Sequence, residues 1–250
     1  MKKSATLVIA AMSAGLLSAG SAGAVTNLAQ NGGFETAVPA NGELGFNTAV
    51  ANWSVPAVPN SYVFIFAPGT ADTTGSVGAG GTVKLWGPGD GSANGLTTSP
   101  DGGNFVGADP DYRDGKLTQT INGLTAGNIY TVAFDYAGGQ QMGRTGPTTE
   151  GWQVGFGSDA PQTTAMLSNA SMGFTGWQTA TFKFKADGAS DVLSFLAVGG
   201  PSSTLPPFAL LDGVSVTSVP EPATWAVMLV GFGAMGGAIR ARRKRLSVAA

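Results

Sequence analysis

Carboxylates are the main chemically active side chains of this 250-residue chain, because it contains no histidine and no cysteine. Serine–histidine–aspartate triads, HExxH zinc sites, thiolate metal sites and cysteine nucleophiles are therefore excluded. Carboxylates are suited to cation binding through their oxygen atoms and, as a pair of acids, to glycoside cleavage. No motif selects two of the 15 acidic residues as a catalytic pair. We therefore predict a protein that is not an enzyme, with a hydrolase or lyase as the alternative.

Asp212 is the acidic residue with the most informative surroundings. In a strand, the two-residue period predicts that Asp212 shares one face with Leu210, Val214 and Val216. A carboxylate in line with apolar residues is either buried or at the rim of a strand end. Because burying an unpaired charge is costly, we expect Asp212 to have a partner. That partner is either a bound cation or a set of hydrogen bonds without metal.

Short alternating segments predict the elements that position these residues. Apolar and polar residues alternate over Tyr130–Tyr136, Trp152–Phe156 and Ala180–Lys185, and Val192–Val198 is nearly all apolar. Glycine-rich turn signals separate about nine such segments, and no long segment has helical periodicity. The sequence therefore predicts an all-β fold, a single jelly-roll β-sandwich. The segment between Gly69 and Gly81 is predicted to be a long loop.

The N-terminus has the features of a secretory signal peptide. Lys2 and Lys3 precede an apolar stretch, and Ala22-Gly23-Ala24 is a small-x-small cleavage site. We predict that signal peptidase cuts after Ala24.

The C-terminus predicts a short transmembrane helix. Trp225–Ile239 holds 15 uncharged residues, somewhat fewer than the ~20 that span a bilayer. A basic cluster follows and would stay on the cytoplasmic side, which places the preceding domain outside. The cluster comprises Arg240, Arg242, Arg243, Lys244 and Arg245.

The same segment resembles the PEP-CTERM sorting signal in its PEPxxWA variant, through Pro220, Glu221, Pro222 and Trp225. The resemblance implies handling by an exosortase, a transient inner-membrane anchor, cleavage near the PEP motif, and release to the cell surface or an extracellular polysaccharide matrix. The chain then divides into a signal peptide (1–24), one domain (25–218), the sorting segment (219–245) and a tail (246–250).

Between the two targeting segments, the domain is acidic. Six basic residues stand against 14 acidic ones, which gives a net charge of about −8. This balance argues against binding to nucleic acid and is compatible with binding a cation.

The edges of this domain resemble galactose-binding-like jelly rolls found among carbohydrate-binding modules. The matching residues are the opening Asn31-Gly32-Gly33-Phe34-Glu35 and the closing Leu210–Val216. Similar modules carry a structural calcium ion between the opening and closing segments. Carried over to this chain, the resemblance implies that Glu35 and Asp212 hold calcium.

The resemblance also implies a non-catalytic role, either glycan binding or a structural role in the matrix. Sugar rings stack on flat aromatic faces, so loop aromatics are candidate contacts. We identify Trp86 in "KLWGPGDG" and Tyr112 beside Arg113 as these candidates. The alternative for each aromatic residue is packing in the core or at its rim.

Overall fold

The computed structural model of this chain describes residues 26–55, 61–110, 115–201, 205–219 and 231–233. Several predicted features lie outside the described residues. They are the signal peptide with Ala22 and Ala24, the candidate residues Tyr112 and Arg113, the motif residues Pro220, Glu221, Pro222 and Trp225, and the basic cluster Arg240–Arg245. No helix among the described residues is both long enough and apolar enough to cross a membrane.

Between residues 26 and 219, the described chain consists of β-strands, their connections and one 3₁₀ turn at Pro88–Asp90, and residues 231–233 are helical. In chain order the strands are β1 (Ala37–Val38), β2 (Gly42–Glu43), β3 (Ala49–Val50), β4 (Val63–Phe66), β5 (Ser76–Gly78), β6 (Gly81–Val83), β7 (Phe105–Ala108), β8 (Leu117–Asn122), β9 (Ile129–Gln140), β10 (Thr148–Phe156), β11 (Gln162–Thr163), β12 (Leu167–Asn169), β13 (Gln178–Lys185), β14 (Ser190–Gly200) and β15 (Pro207–Ser218).

Two antiparallel sheets form a sandwich. The larger sheet has six strands in the order β13-β9-β15-β7-β4-β2. The smaller sheet has five strands, in the order β11-β10-β14-β8 with β12 also paired to β10. Successive long strands from β8 onward alternate between the sheets, as in a jelly roll. The predicted all-β sandwich is therefore confirmed.

Apolar side chains cover both faces of the six-stranded sheet. The main core lies between the two sheets, where Trp152 of the smaller sheet donates its indole N–H to the Leu210 carbonyl of the larger one at 2.9 Å. A second cluster lies on the opposite face and includes Phe64, Leu85 and Phe208. The long connection between β4 and β7 covers this second cluster, and it contains the β5–β6 hairpin where we predicted only loop.

A β-bulge in β15 divides its residues between these two clusters. The pairing of β15 with β9 shifts between Asp212 and Ser215, and Gly213 occupies the left-handed region with φ +59°. Leu210 packs in the outer cluster, whereas Val214 and Val216 pack in the main core. Our prediction that Asp212 shares a face with Val214 and Val216 is therefore wrong, because one inserted residue reverses the faces of a strand.

Candidate functional site

Asp212 is fully buried beneath the connection that covers the outer face of the six-stranded sheet. The hydroxyl of Ser99, in that connection, donates a hydrogen bond to Asp212 Oδ2. Asp212 Oδ1 is also buried and accepts no hydrogen bond from the described residues. The expectation that Asp212 has a partner is therefore met at one oxygen only.

Two further carboxylates lie beside Asp212, around Gly33. A Cβ atom placed on Gly33 would lie 2.7 Å from Asp101 Oδ2 and 3.8 Å from both Asp212 Oδ1 and Glu35 Cγ. Glu35 Oε1 accepts a hydrogen bond from the backbone N–H of Asn104 at 2.9 Å. The fold thus brings Glu35 and Asp212 together as predicted and adds Asp101. Even so, no three acidic side chains in the described ranges converge closely enough to form a complete metal site.

Burial raises the pKa of Asp212 to about 7, although the hydrogen bond from Ser99 acts in the opposite direction. The negative charges of Asp101 and Glu35 raise this pKa further. A cation bound among the three carboxylates would reverse this effect, since it would stabilise the ionised form. The oxygen-only donor set and the unpaired Oδ1 are compatible with calcium.

Glu150 is a second buried carboxyl group, located in β10 between the two sheets. Thr148 donates a hydrogen bond to its Oε1, whereas its Oε2 has no hydrogen-bond partner among the described residues. Burial raises the pKa of Glu150 to about 8, despite hydrogen bonds from Thr148 and Asn169. Glu150 is therefore mostly protonated at pH 7.

Glu150 and Asp212, the two carboxyl groups whose pKa values are raised, lie on opposite faces of the six-stranded sheet. Glu150 Oε2 would be 2.5 Å from a Cβ atom on Gly138, on the face toward the main core. Asp212 pairs with Asp135 and points to the other face together with Leu210. Because the backbone of the sheet separates them, these two groups do not act as an acid–base pair on one substrate.

Trp86 lies at one end of the sandwich and is half-buried. Its indole N–H donates to the Arg144 carbonyl at 2.7 Å, and its own carbonyl accepts from Asn94 Nδ2 at 2.7 Å. Its role as a glycan contact stays a prediction.

In a cleft of about 480 Å³ beside Trp86, most polar side chains already make hydrogen bonds to the protein backbone. Ser92 Oγ and Asn94 Nδ2 donate to the Met172 carbonyl at 3.1 and 3.0 Å. Asn169 Nδ2 donates to the Gly173 carbonyl at 3.2 Å, and Thr175 Oγ1 to the Gly176 carbonyl at 3.1 Å. These bonds hold the loops together and leave few groups for a ligand.

A groove of about 490 Å³ lies at the edge of the smaller sheet, where residues 52–54 run beside β8. The backbone N–H groups of Ser54 and Thr118 each donate to the other residue's carbonyl, at 3.0 and 2.8 Å. Trp53 closes one side, with its indole N–H bound to the Asn31 carbonyl at 2.9 Å. No charged side chain lines this groove.

Four exposed side chains of this groove have unused hydrogen-bonding groups. They make no side-chain hydrogen bond within the described parts of the chain. These side chains belong to Gln30, Asn52, Thr120 and Asn122. Each offers a donor and an acceptor, as a sugar hydroxyl does. Val192, which is 50% exposed, adds an apolar surface beside them.

The C-terminal segment identifies how the chain is sorted. Residues 218–244 match the PEP-CTERM protein-sorting motif. This motif indicates export to the cell surface or the extracellular space. The match confirms the resemblance seen in Pro220, Glu221, Pro222 and Trp225, and it begins inside β15. No curated protein matches the chain.

Several solved structures have a similar shape. One is TmCBM61 in complex with β-1,4-galactotriose, at 12% identity and a TM-score of 0.44, covering 78% of this chain and 99% of that one. Another is the C-terminal CBM6 of LamC, a marine laminarinase from Zobellia galactanivorans, at 9% identity and a TM-score of 0.31, covering 54% and 87%. A third is the enzymatically active domain of bacteriophage CBA120 tailspike protein 4, at 14% identity and a TM-score of 0.37, covering 77% and 21%.

Proposed function

We propose that this exported protein binds a neutral glycan without catalysis, at the cell surface or in an extracellular polysaccharide matrix. In this proposal, signal peptidase removes the N-terminal segment, and the sorting motif anchors the chain transiently in the inner membrane until an exosortase cuts it. The observation that supports glycan binding is the groove beside β8. Four of its neutral polar side chains, those of Gln30, Asn52, Thr120 and Asn122, are exposed and make no hydrogen bond within the described parts of the chain.

The chemistry of this groove suits sugar hydroxyls better than ions or apolar ligands. A hydroxyl both donates and accepts, and the amides of Gln30, Asn52 and Asn122 can do both at once. An anionic ligand would lack a cationic partner in the lining, and an apolar ligand would leave the amides unpaired. The exposed Val192 side chain provides a contact for the C–H face of a sugar ring.

We further propose that calcium stabilises the folded domain through Asp212, Glu35 and Asp101. Asp212 Oδ1 supplies an unpaired ligand atom, and Asp101 and Glu35 lie with it around Gly33. Calcium takes six to eight oxygen ligands, so backbone carbonyls and water would complete its coordination. In this role the ion stabilises the fold and does not contact the glycan.

Replacing the groove side chains should abolish most of the glycan binding. Each neutral hydrogen bond contributes about 0.5–1.5 kcal/mol, so the loss of three such bonds in the triple variant N52A/T120A/N122A should weaken binding by about 10- to 2,000-fold. Affinity electrophoresis against β-glucan, β-galactan and the anionic polymer alginate measures this. We expect a neutral polymer to retain the unmodified protein and alginate to retain it little. We also expect that the protein releases no reducing sugar from these polymers.

Two controls make the groove experiment specific. Asn128 is an exposed neutral residue outside the groove, and N128A should bind as tightly as the unmodified protein. W86A tests the second candidate contact in the same assay. Unchanged retention of the triple variant would contradict the groove, and reducing-sugar release would favour an enzyme.

A further inference from the structure

The sorting motif and the folded domain share residues. The motif match begins at Ser218, which is also the last residue of β15 and pairs with Tyr130 of β9. The next residue, Val219, donates its backbone N–H to the Ile129 carbonyl at 3.0 Å. The PEP sequence follows at Pro220, so no linker separates the sheet from the motif.

An N-terminal arm, Asn27–Leu28, holds β15 at its other edge, just before this junction. Leu28 donates its backbone N–H to the Val216 carbonyl at 2.8 Å. Val216 in turn donates its N–H to Asn27 Oδ1 at 2.9 Å. Both backbone groups of Val216 thus bond to the arm, on the edge opposite β9, whereas the three residues after it lie beside β9 alone among the described residues.

Proteases bind their substrates as extended chains whose backbone groups are free to pair with the enzyme. If an exosortase cuts beside Pro220–Pro222, the residues before the cut must enter its binding cleft. In the folded domain, those residues are Thr217, Ser218 and Val219, which all lie opposite β9. Because hydrogen-bonded residues alternate along an antiparallel pair, β9 occupies the backbone groups of Thr217 and the N–H of Val219. Cleavage can then proceed only from a locally opened state.

We propose that the end of β15 must unpair from β9 before the sorting protease can cut, so that the folded domain slows its own release. The proposal rests on the exosortase cleavage that we proposed above. The N-terminal arm limits the unpairing to the three residues after Val216. Once unpaired from β9, this strand end would bind as an extended chain in the substrate cleft of the protease.

A spacer at the junction should remove the need for unpairing. Inserting Gly-Ser-Gly-Ser between Val219 and Pro220 lets the protease bind the spacer while β15 stays paired. In cells that express the full chain with its exosortase, pulse-chase mass analysis should show cleavage about tenfold faster, as expected for the loss of two strand hydrogen bonds. The matched control carries the same insertion after Gly95, an exposed loop position with nothing within 4 Å.

A reversible cross-link should have the opposite effect. Thr131 and Thr217 face each other across β9 and β15, and the chain has no cysteine of its own. The variant T131C/T217C should be cut slowly when oxidised and at the unmodified rate when reduced. When it also carries the spacer, it should be cut as fast as the spacer variant in either state. The single variant T217C is the control.

Each result separates the two proposals. Equal cleavage rates for the unmodified chain, the spacer variant and the oxidised double variant would overturn the unpairing requirement and leave exosortase processing standing. An absence of cleavage in every variant, including the spacer variant, would contradict the processing step itself.

Discussion

Replacing Glu150 with glutamine should raise the melting temperature of the domain by roughly 10 °C at pH 8 and should change it little at pH 5. The reason is that Glu150 is buried and its pKa is raised from about 4.5 to about 8 in the folded state. Between these two values the folded domain holds a proton that the unfolded chain releases. Stability therefore falls as pH rises through this range.

The size of this effect follows from the pKa difference. A pKa difference of one unit corresponds to about 1.4 kcal/mol, so the raised pKa of Glu150 lowers the free energy of unfolding by about 4 kcal/mol at pH 8. For a domain of this size, 1 kcal/mol shifts the melting temperature by about 2–4 °C. The glutamine amide is similar in shape to the protonated acid and cannot ionise, so the E150Q domain should lose this part of the pH dependence.

Glu43 provides a matched contrast. It is also fully buried, but both its oxygens accept backbone N–H groups, from Tyr62 at 2.9 Å and from Ala79 at 2.8 Å. A glutamine amide can replace only one of these acceptors, so E43Q should lower the melting temperature at pH 5 and pH 8 alike. If E150Q instead melted at the same temperature as the unmodified domain at pH 8, Glu150 would not be neutral in the fold.

Calcium should raise the melting temperature of the unmodified domain by about 5–10 °C, and D212N should remove this response. An ion that binds only the folded state at a hundredfold excess over its Kd stabilises it by about 2.7 kcal/mol. Without the ion, Asp212 destabilises the fold above pH 4, because burial raises its pKa to about 7. In chelator at pH 8, D212N should therefore melt at a higher temperature than the unmodified domain.

The pH dependence gives this prediction a second readout. Calcium and a proton compete for Asp212, so the calcium affinity should rise as pH increases through about 7. D101N and E35Q should each weaken calcium binding because each replaces a negatively charged carboxylate beside Asp212 with a neutral amide. Scanning calorimetry with calcium and with chelator measures both effects.

Asp159 is the control for the calcium experiment. It follows β10 of the smaller sheet, whereas Asp212 lies on the outer face of the larger sheet. Asp159 Oδ2 accepts the backbone N–H of Lys185 at 2.6 Å, a bond that asparagine can keep. D159N should retain the full calcium response. Identical melting curves of the unmodified domain in calcium and in chelator would contradict the calcium site. Asp212 would then be a buried carboxyl group that only accepts a hydrogen bond from Ser99.

Two kinds of feature could be predicted from the sequence because their signals are local. The sorting motif is a contiguous run, so it was identified from Pro220-Glu221-Pro222 and Trp225 together with the apolar span and the basic cluster that follow. Strand alternation is local too, and it predicted the positions of β9, β10, β13 and β14 within a few residues at each end. The inference that Asp212 needs a partner came from the same alternation.

The tertiary structure decided everything that depends on distant segments meeting. Ser99 and Asp101 reach Asp212 because the β4–β7 connection folds over the sheet, and no local pattern marks those two residues. The bulge at Gly213 moved Asp212 to the face opposite Val214, which period-two reasoning placed wrongly.

The groove and the strand junction have the same origin. The groove forms only where Asn52 comes to lie beside Thr120 and Asn122, about 70 residues later in the chain. At the strand junction, the hydrogen bond from the Val216 N–H is accepted by Asn27, 189 residues earlier in the chain. Side-chain alternation is set by the geometry of one strand, whereas these contacts depend on which strands and loops become neighbours.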